Sequence, residues 1–108
     1  MRVLQYLDAS GRNPCAAWFD ALDPQAAAKV TIAMARLEQG NLSSTKSVGG
    51  GVLEYRLDFG PGYRIYFGRD GDDLIILLGG GTKQRQRQDI VRAQAYWSDY
   101  KRRRKEER

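Results

Sequence analysis

Histidine is absent from the 108 residues of this chain, and cysteine occurs once, as Cys15. Without histidine, the chain lacks the side chain that most often serves as a general base near neutral pH, which is also the commonest metal ligand. A single cysteine excludes an internal disulfide, a thiolate metal site and a Cys–His nucleophile. The sequence therefore predicts no metal site and no cofactor, and it leaves carboxylates, tyrosines, lysines and arginines to carry any chemistry.

Long apolar runs are missing as well. No stretch approaches the roughly 20 apolar residues that a membrane helix requires, and the first residues, MRVLQYLDASG, lack the apolar core of a signal peptide. These absences predict a cytoplasmic protein without a membrane partner. A length of 108 residues and a hydrophobic content of 42% are typical of one globular domain, which we place at 1–108.

Positive charge is concentrated at the C-terminal end. Residues 1–82 carry 8 basic and 9 acidic side chains, whereas residues 83–108 carry 10 basic and 4 acidic ones. The formal net charge of +5 therefore comes entirely from the last quarter of the chain. A polyanion is the natural partner of such a segment, and nucleic acid is the leading candidate. For the basic residues 101–108, a frayed and solvated tail is an equally good interpretation.

Apolar periodicity and turn residues predict seven elements in the order β-α-α-β-β-β-α. This order indicates an α+β fold, in which an N-terminal helical hairpin precedes a small, mostly antiparallel sheet and a last helix follows it. The predicted elements are a strand (2–7), two helices (15–22 and 24–39), a loop (42–51), three strands (52–59, the residues after the turn at 60–62, and 74–78) and a helix that begins between Thr82 and Asp89 and ends near Arg102.

The polar face of the predicted sheet carries an unusual combination of side chains. Strand alternation places Arg56, Arg64 and Tyr66 on one face, and Lys83 and Arg85 follow the third strand close to it. This arrangement predicts a cationic cup that contains a phenol. Guanidinium and ammonium groups suit a phosphodiester, because they bind its oxygens and offset the charge that develops during cleavage. The alternative interpretation is a solvated network of surface ion pairs.

Turn lengths predict the register of this face. A three-residue turn at 60–62 places Arg56 opposite Tyr66. A two-residue hairpin at 70–71 places Tyr66 opposite Ile75. An apolar side chain is thus expected beside the cup, so part of that face needs a cover.

The residues from EYRLDFGPGYRIYF through LLGGGTKQRQRQDI resemble the RelE/ParE superfamily of type II toxins. More narrowly, they resemble the addiction-module killer proteins related to HigB. The segment NPCAAWFDALDPQAAAKVTIAMARLEQGN is similar to the helical hairpin of that family, and the match covers roughly residues 2–97. The resemblance implies a RelE-like fold and a toxin that inhibits translation by cleaving mRNA in the ribosome.

The same resemblance implies an activity and a set of partners. The activity is that of a metal-independent endoribonuclease, in which the RNA 2′-hydroxyl attacks the phosphate. The partners are a cognate antitoxin, expected to be a helix-turn-helix protein, mRNA on the ribosome, and operator DNA bound by the toxin–antitoxin complex. The alternatives are a ParE-like toxin that poisons DNA gyrase and a non-catalytic antitoxin or DNA-binding partner. ParE-type members typically lack the cationic cup, so its presence favours the ribonuclease.

Family residues carry over unevenly. Arg64, in the GYR motif, matches the phosphate-contacting arginine of the family, and Lys83 falls where a second catalytic arginine is found. Arg56 falls near a strand lysine of the family's active site. The family's tyrosine six residues beyond that second cation has no match, because Asp89 stands there, and Tyr66 and Asp89 are therefore both candidates for the acid–base group. The predicted catalytic residues are Arg64, Lys83, Arg56 and Tyr66, and the predicted RNA-binding residues are Lys46, Arg85 and Arg87.

Overall fold

The computed structural model describes residues 1–107, which fold around one five-stranded sheet. The elements are β1 (Arg2–Gln5), α1 (Pro14–Asp20), α2 (Pro24–Glu38), β2 (Thr45–Gly49), β3 (Val52–Leu57), β4 (Tyr63–Asp70), β5 (Leu74–Thr82), a 3₁₀ turn (Lys83–Arg85) and α3 (Gln86–Glu106). The strand order is β1-β5-β4-β3-β2, and only the β1–β5 pair is parallel. The predicted α+β class and mostly antiparallel sheet are confirmed. Within residues 1–107, no helix is both long and apolar enough to cross a membrane.

The first two helices begin where their capping residues predict. The side chain of Asn13 accepts a hydrogen bond from the backbone N–H of Ala16 at 2.9 Å, and that of Asp23 accepts one from Ala26 at the same distance. A proline follows each cap at a position where no helical N–H is needed. The helical hairpin therefore follows from local sequence signals alone.

Helices cover the sheet on both faces, and each face has its own core. α1 and α2 cover one face, where the buried side chains are those of Cys15, Val30, Ala33, Leu37, Tyr55, Ile65, Phe67, Ile75 and Leu77. α3 covers the other face, where they are those of Tyr6, Val52, Tyr66, Leu74, Ile76, Leu78, Ala93 and Trp97. The central strands are consequently buried on both sides, which explains the continuous apolar run of β5.

Two predicted segments differ from the structure. Residues 45–49 were expected in a loop but form β2, which pairs with β3 at the edge of the sheet. An edge strand with one solvated side needs few apolar residues, so its composition resembles that of a loop. The third predicted strand was expected to end at residue 78, but β5 continues through the glycines 79–81 to Thr82.

The predicted register between β3 and β4 is wrong by two residues. Arg56 pairs with Arg64, and Glu54 pairs with Tyr66, because the connecting loop spans 58–62 rather than 60–62. A longer loop moves every pair along the strand but keeps each residue on its own face, since side chains alternate with a period of two. The predicted common face of Arg56, Arg64 and Tyr66 therefore survives the error.

The predicted register between β4 and β5 is also wrong, and this error assigned Ile75 to the wrong face of the sheet. Tyr66 pairs with Gly79 rather than Ile75, because the turn spans 71–73 and the register shifts again between Tyr66 and Phe67. Ile75 consequently lies in the core beneath α1 and α2, on the face opposite Tyr66. The face that contains Tyr66 is covered by α3, as the apolar side chain expected there required.

The basic C-terminal segment is helical rather than frayed as far as Glu106, while Arg108 lies outside the described residues. Its arginines pair with acidic side chains of the same chain: Arg102 with Asp99 and Glu106, Arg103 with Asp99, and Arg104 with Asp70. The hydroxyl of Tyr6 also donates to Asp99, at 2.6 Å, and so ties α3 to the residue that follows β1. Much of the positive charge of this segment is thus balanced within the domain.

We predict that Tyr6→Phe lowers the free energy of unfolding by about 1 kcal/mol at pH 7, since it removes a hydrogen bond to a partly solvated carboxylate. That hydrogen bond is the main cause that lowers the pKa of Asp99. Its stabilisation is therefore present above the unfolded-state pKa of about 4 and is lost as the pH falls through the lower folded-state value. Urea denaturation at about pH 7 and about pH 2 should show the difference between variant and wild type shrinking in acid.

Tyr96→Phe is the matched control. Its ring stacks on Tyr6 at a centroid distance of 5.1 Å, and its hydroxyl makes no hydrogen bond within residues 1–107. This variant should be as stable as the wild type at both pH values. Equal stability of Tyr6→Phe and wild type at pH 7 would contradict the anchoring of α3 by Tyr6.

Candidate functional site

A charged pair is buried between the sheet and α3. Glu54 of β3 is 0% exposed and Arg64 of β4 is 4% exposed. Arg64 Nε lies 4.0 Å from Glu54 Oε1, and the Gln86 side-chain amide donates to Glu54 Oε2 at 2.7 Å. The Arg64 guanidinium also donates to the carbonyl of Gly62. Each charge is thus compensated mainly by the other, because few other polar groups reach them.

Tyr66 lies beside this pair and is 1% exposed. Its hydroxyl has no hydrogen-bond partner within residues 1–107, and the same is true of Glu54 Oε1 and Arg64 Nε. Burial raises the pKa of Tyr66, and the nearby carboxylates of Glu54 and Asp89 raise it further. Tyr66 is therefore a neutral phenol at physiological pH. Buried polar atoms without partners are uncommon, and their clustering here marks a candidate functional site.

Asp89 stands in the first turn of α3 and adjoins the same cluster. Its Oδ2 is buried without a hydrogen-bond partner among the described residues, and its carboxylate lies so close to Gly81 that a Cβ there would overlap it. Burial raises the pKa of Asp89, whereas Arg85 and Arg92 oppose that shift. A carboxyl group with a raised pKa, flanked by cations, is suited to proton transfer.

A groove of about 420 Å³ opens at the C-terminal end of β5, between α1 and α3. The side chains of Trp18, Tyr66 and Tyr96 line it, together with those of Asp89, Arg85 and Arg92. The backbone of 79–81 forms its floor, and a Cβ at Gly80 would overlap the indole of Trp18. The glycines are therefore what allows α1 and Asp89 to approach the end of the strand.

Two exposed cations flank the Asp89 carboxylate on the wall of this groove. Neither Arg85 nor Arg92 forms an ion pair within residues 1–107, although Arg85 approaches the Gln88 side chain at 3.5 Å. Unpaired guanidinium groups beside a concave surface are available to an anionic ligand. The groove thus combines a positive wall with a carboxyl and a buried phenol.

The predicted catalytic residues do not share one open surface. Arg64 and Tyr66 lie together but are buried, so they do not form the concave cationic cup that the sequence predicted. Lys83 is exposed, and both Lys83 and Arg64 lie close to Gly62. Arg56 is exposed and lines a shallow surface with Lys46 instead. The catalytic role of these four residues stays a prediction.

The predicted RNA-binding residues are dispersed in the same way. Arg85 lies on the groove, Arg87 is exposed on α3 outside the groove, and Lys46 is exposed on β2. Their role in RNA binding also stays a prediction. The structure brings only one of the three, Arg85, to the groove that contains Tyr66 and Asp89.

Sequence reasoning missed four residues of the site. Alternation puts Glu54 on the same face as Arg56, but no sequence signal distinguishes a buried carboxylate from the solvated ones around it. Trp18 packs against the core, as a large aromatic side chain commonly does, yet it also lines the groove. Gln86 and Arg92 lie on α3, whose seating against the sheet the sequence did not specify.

We predict that Glu54→Leu lowers the free energy of unfolding by about 3 kcal/mol, because it leaves the Arg64 guanidinium buried without its counter-charge. The double variant Glu54→Leu/Arg64→Met should be more stable than Glu54→Leu alone, since the uncompensated charge is then gone as well. Urea denaturation of the wild type, both single variants and the double variant measures the coupling between the two side chains.

The control is Arg56→Met, at the position that pairs with Arg64 but is exposed. It should change the free energy of unfolding by less than about 0.5 kcal/mol. Additive losses in the double variant would contradict a buried pair whose members depend on each other.

Comparison with known proteins places most of these elements in one family. The sequence profile of the family described as phage-derived protein Gp49-like (DUF891) matches residues 17–96, which include α2, β2 to β5 and the groove residues from Trp18 to Tyr96. An uncharacterized protein of Haemophilus influenzae is 44% identical over 69 residues, which are 64% of this chain and 70% of that relative.

Proposed function

Because this chain belongs to the Gp49-like family of phage-derived proteins, a RelE/toxin-like family of toxin–antitoxin contexts, we propose that it is the toxin of a type II system that cleaves mRNA. The narrower relation to HigB, the action on the ribosome, and the antitoxin and operator DNA as partners are parts of the same proposal. Family membership supports a toxin-like protein with an antitoxin partner. The groove at the end of β5 supports the cleavage activity.

The observation that carries the proposal is the groove at the end of β5, with Asp89 between Arg85 and Arg92 and Tyr66 beneath them. Its volume of about 420 Å³ lies within the range of sites that hold a small ligand or one nucleotide. The two arginines suit the oxygens of a phosphodiester, because each guanidinium presents a planar set of donors.

The proposed reaction uses the chain, its RNA and solvent water. The ribose 2′-hydroxyl attacks the adjacent phosphorus, the bond from phosphorus to the 5′-oxygen breaks, and a 2′,3′-cyclic phosphate and a 5′-hydroxyl result. Asp89 accepts the proton of the 2′-hydroxyl, and the leaving 5′-oxygen receives a proton through water. Arg85 and Arg92 offset the negative charge that develops on the phosphate oxygens.

The two candidates for the acid–base group, Tyr66 and Asp89, differ in their exposure to solvent. Both line the groove, but Tyr66 is 1% exposed, whereas Asp89 is partly exposed as a residue although its Oδ2 is buried. We therefore assign proton transfer to Asp89, and we assign to Tyr66 and Arg64 the positioning of the groove wall. Lys83, exposed near Arg64, adds positive charge beside the approaching RNA.

Within the described residues, the C-terminal segment offers few free cations to operator DNA. The three arginines at 102–104 are engaged by acidic side chains of the same chain. Lys101 and Lys105 remain as exposed cations of the described C-terminal residues without an ion pair. DNA contacts through this segment would therefore rest on few phosphates and give a shallow salt dependence.

We predict that Arg85→Ala/Arg92→Ala slows RNA cleavage by about 10²-fold or more, because two groups that stabilise the charged transition state are lost. Asp89→Asn should slow it by about 10²- to 10⁴-fold, the contribution expected of a general base. The assay is cleavage of a short mRNA by the purified chain, with and without ribosomes, followed by analysis of the RNA ends.

Arg12→Ala is the control, because Arg12 is exposed and forms no ion pair within residues 1–107. It should cleave as the wild type does. Folded groove variants that retain full activity would overturn the assignment of the site. A wild-type chain that leaves mRNA intact but inhibits supercoiling by DNA gyrase would support the gyrase alternative, and inactivity in both assays would support a non-catalytic partner.

A further inference from the structure

A second concave surface lies away from the groove at the end of β5, along one side of α2. We call it the α2 surface. It encloses about 310 Å³, and the residues that line it include Lys29, Ile32 and Arg36 on α2 and Leu57 and Phe59 on β3 and the loop after it. Neither the cleavage reaction nor the buried Glu54–Arg64 pair uses this surface.

Its charge is strongly one-sided. Lys29 and Arg36 of α2 contribute two cations, and Arg56 and Asp58, which have opposite charges, also line it. None of these four residues forms an ion pair within residues 1–107. The C-terminal end of α3 differs, because Arg102, Arg103 and Arg104 are paired with acids of the chain. The α2 surface thus holds positive charge that the domain itself leaves unbalanced.

The centre of the α2 surface is apolar. Ile32 is 51% exposed and stands between the cations, with Leu57 and Phe59 partly buried beside it. The Lys29 ammonium lies over the Phe59 ring, 5.4 Å from its centroid, so this ring face is occupied. Nucleic acid bases bind by stacking on free aromatic faces. A half-exposed isoleucine ringed by cations suits an aliphatic and acidic protein segment better than RNA.

The spacing on α2 indicates the shape of that segment. Lys29, Ile32 and Arg36 follow one another at three and four residues and share one side of the helix. At a rise of about 1.5 Å per residue they span about 10 Å, which corresponds to two turns of a second helix. A helix with leucines on one side and carboxylates flanking them would contact Ile32 and the cations together.

We propose that the α2 surface docks an acidic amphipathic helix of a partner protein, and that in a toxin–antitoxin pair this helix belongs to the antitoxin. The identity of the partner rests on the proposed function, whereas the docking chemistry does not. The surface selects its partner by unpaired positive charge around one aliphatic contact. Binding there leaves the groove between α1 and α3 unoccupied by the docked helix.

The test uses the full chain and a fluorescein-labelled helical peptide of about 18 residues, with leucines at positions i, i+3, i+4 and i+7 and glutamates at most others. Fluorescence anisotropy at about 0.15 M salt measures its dissociation constant. We expect Arg36→Glu to weaken binding about 10-fold or more and Ile32→Ser about 5-fold, as for central contacts of an interface.

Two control variants match these changes elsewhere on the surface. Arg12→Glu makes the same change of net charge, and Val91→Ser removes an exposed aliphatic side chain from α3. Both should bind the peptide within about twofold of wild type. A peptide with lysines in place of the glutamates should not bind. An equal loss with Arg12→Glu would overturn the proposal, because binding would then depend only on overall charge.

Failure of the wild type to bind the acidic peptide would overturn the proposal directly. If a short single-stranded RNA binds instead and Arg36→Glu abolishes that binding, the α2 surface is a nucleic-acid site and the proposal is wrong. RNA cleavage by Arg36→Glu is measured in parallel and should match wild type. If the chain binds the peptide but does not cleave RNA, the docking proposal stands and the proposed cleavage activity is wrong. If it cleaves RNA but does not bind the peptide, the proposed activity stands and the docking proposal is wrong.

Discussion

The buried pair of Glu54 and Arg64 is the constraint on which the rest of the domain depends. These two opposite charges lie on neighbouring strands beneath α3, where each offsets the cost of burying the other and Gln86 donates a hydrogen bond to the carboxylate. Any displacement of α3 would break the hydrogen bond from Gln86 to the Glu54 carboxylate. This contact therefore ties the start of α3 to β3, and with it the position of Asp89 at the groove.

Local signals predicted the helices and their caps, because capping is a contact between neighbours in sequence. Asn13 and Asp23 each accept a hydrogen bond from a residue three positions later, and both helices begin there. Strand faces were also predictable, since alternation survives an error of two in the register. Register itself was not predictable, because it depends on loop lengths at 58–62 and 71–73 that the turn residues did not specify.

The candidate site was predicted in part for the same reasons. Alternation brought Arg64 and Tyr66 together, but nothing in the sequence of α3 indicates which sheet face it covers. A helix with Ala93 and Trp97 on its buried stripe fits either face. The glycines 79–81 were interpreted as the end of a strand, although they continue it and admit Trp18 and Asp89 to its edge. The sequence shows that these glycines have no side chain, but it does not show which residues pack into the space that this leaves.

The parallel pairing of β1 with β5 joins the two ends of the chain. β1 holds residues 2–5, its partner holds 74–82, and Tyr6 hydrogen-bonds Asp99 across 93 positions of sequence. During synthesis the first strand has no partner until most of the polypeptide has left the ribosome. The groove likewise lacks Asp89 and Arg92 until then. The groove consequently forms only after residues 74–92 have been synthesised and β5 has paired with β1.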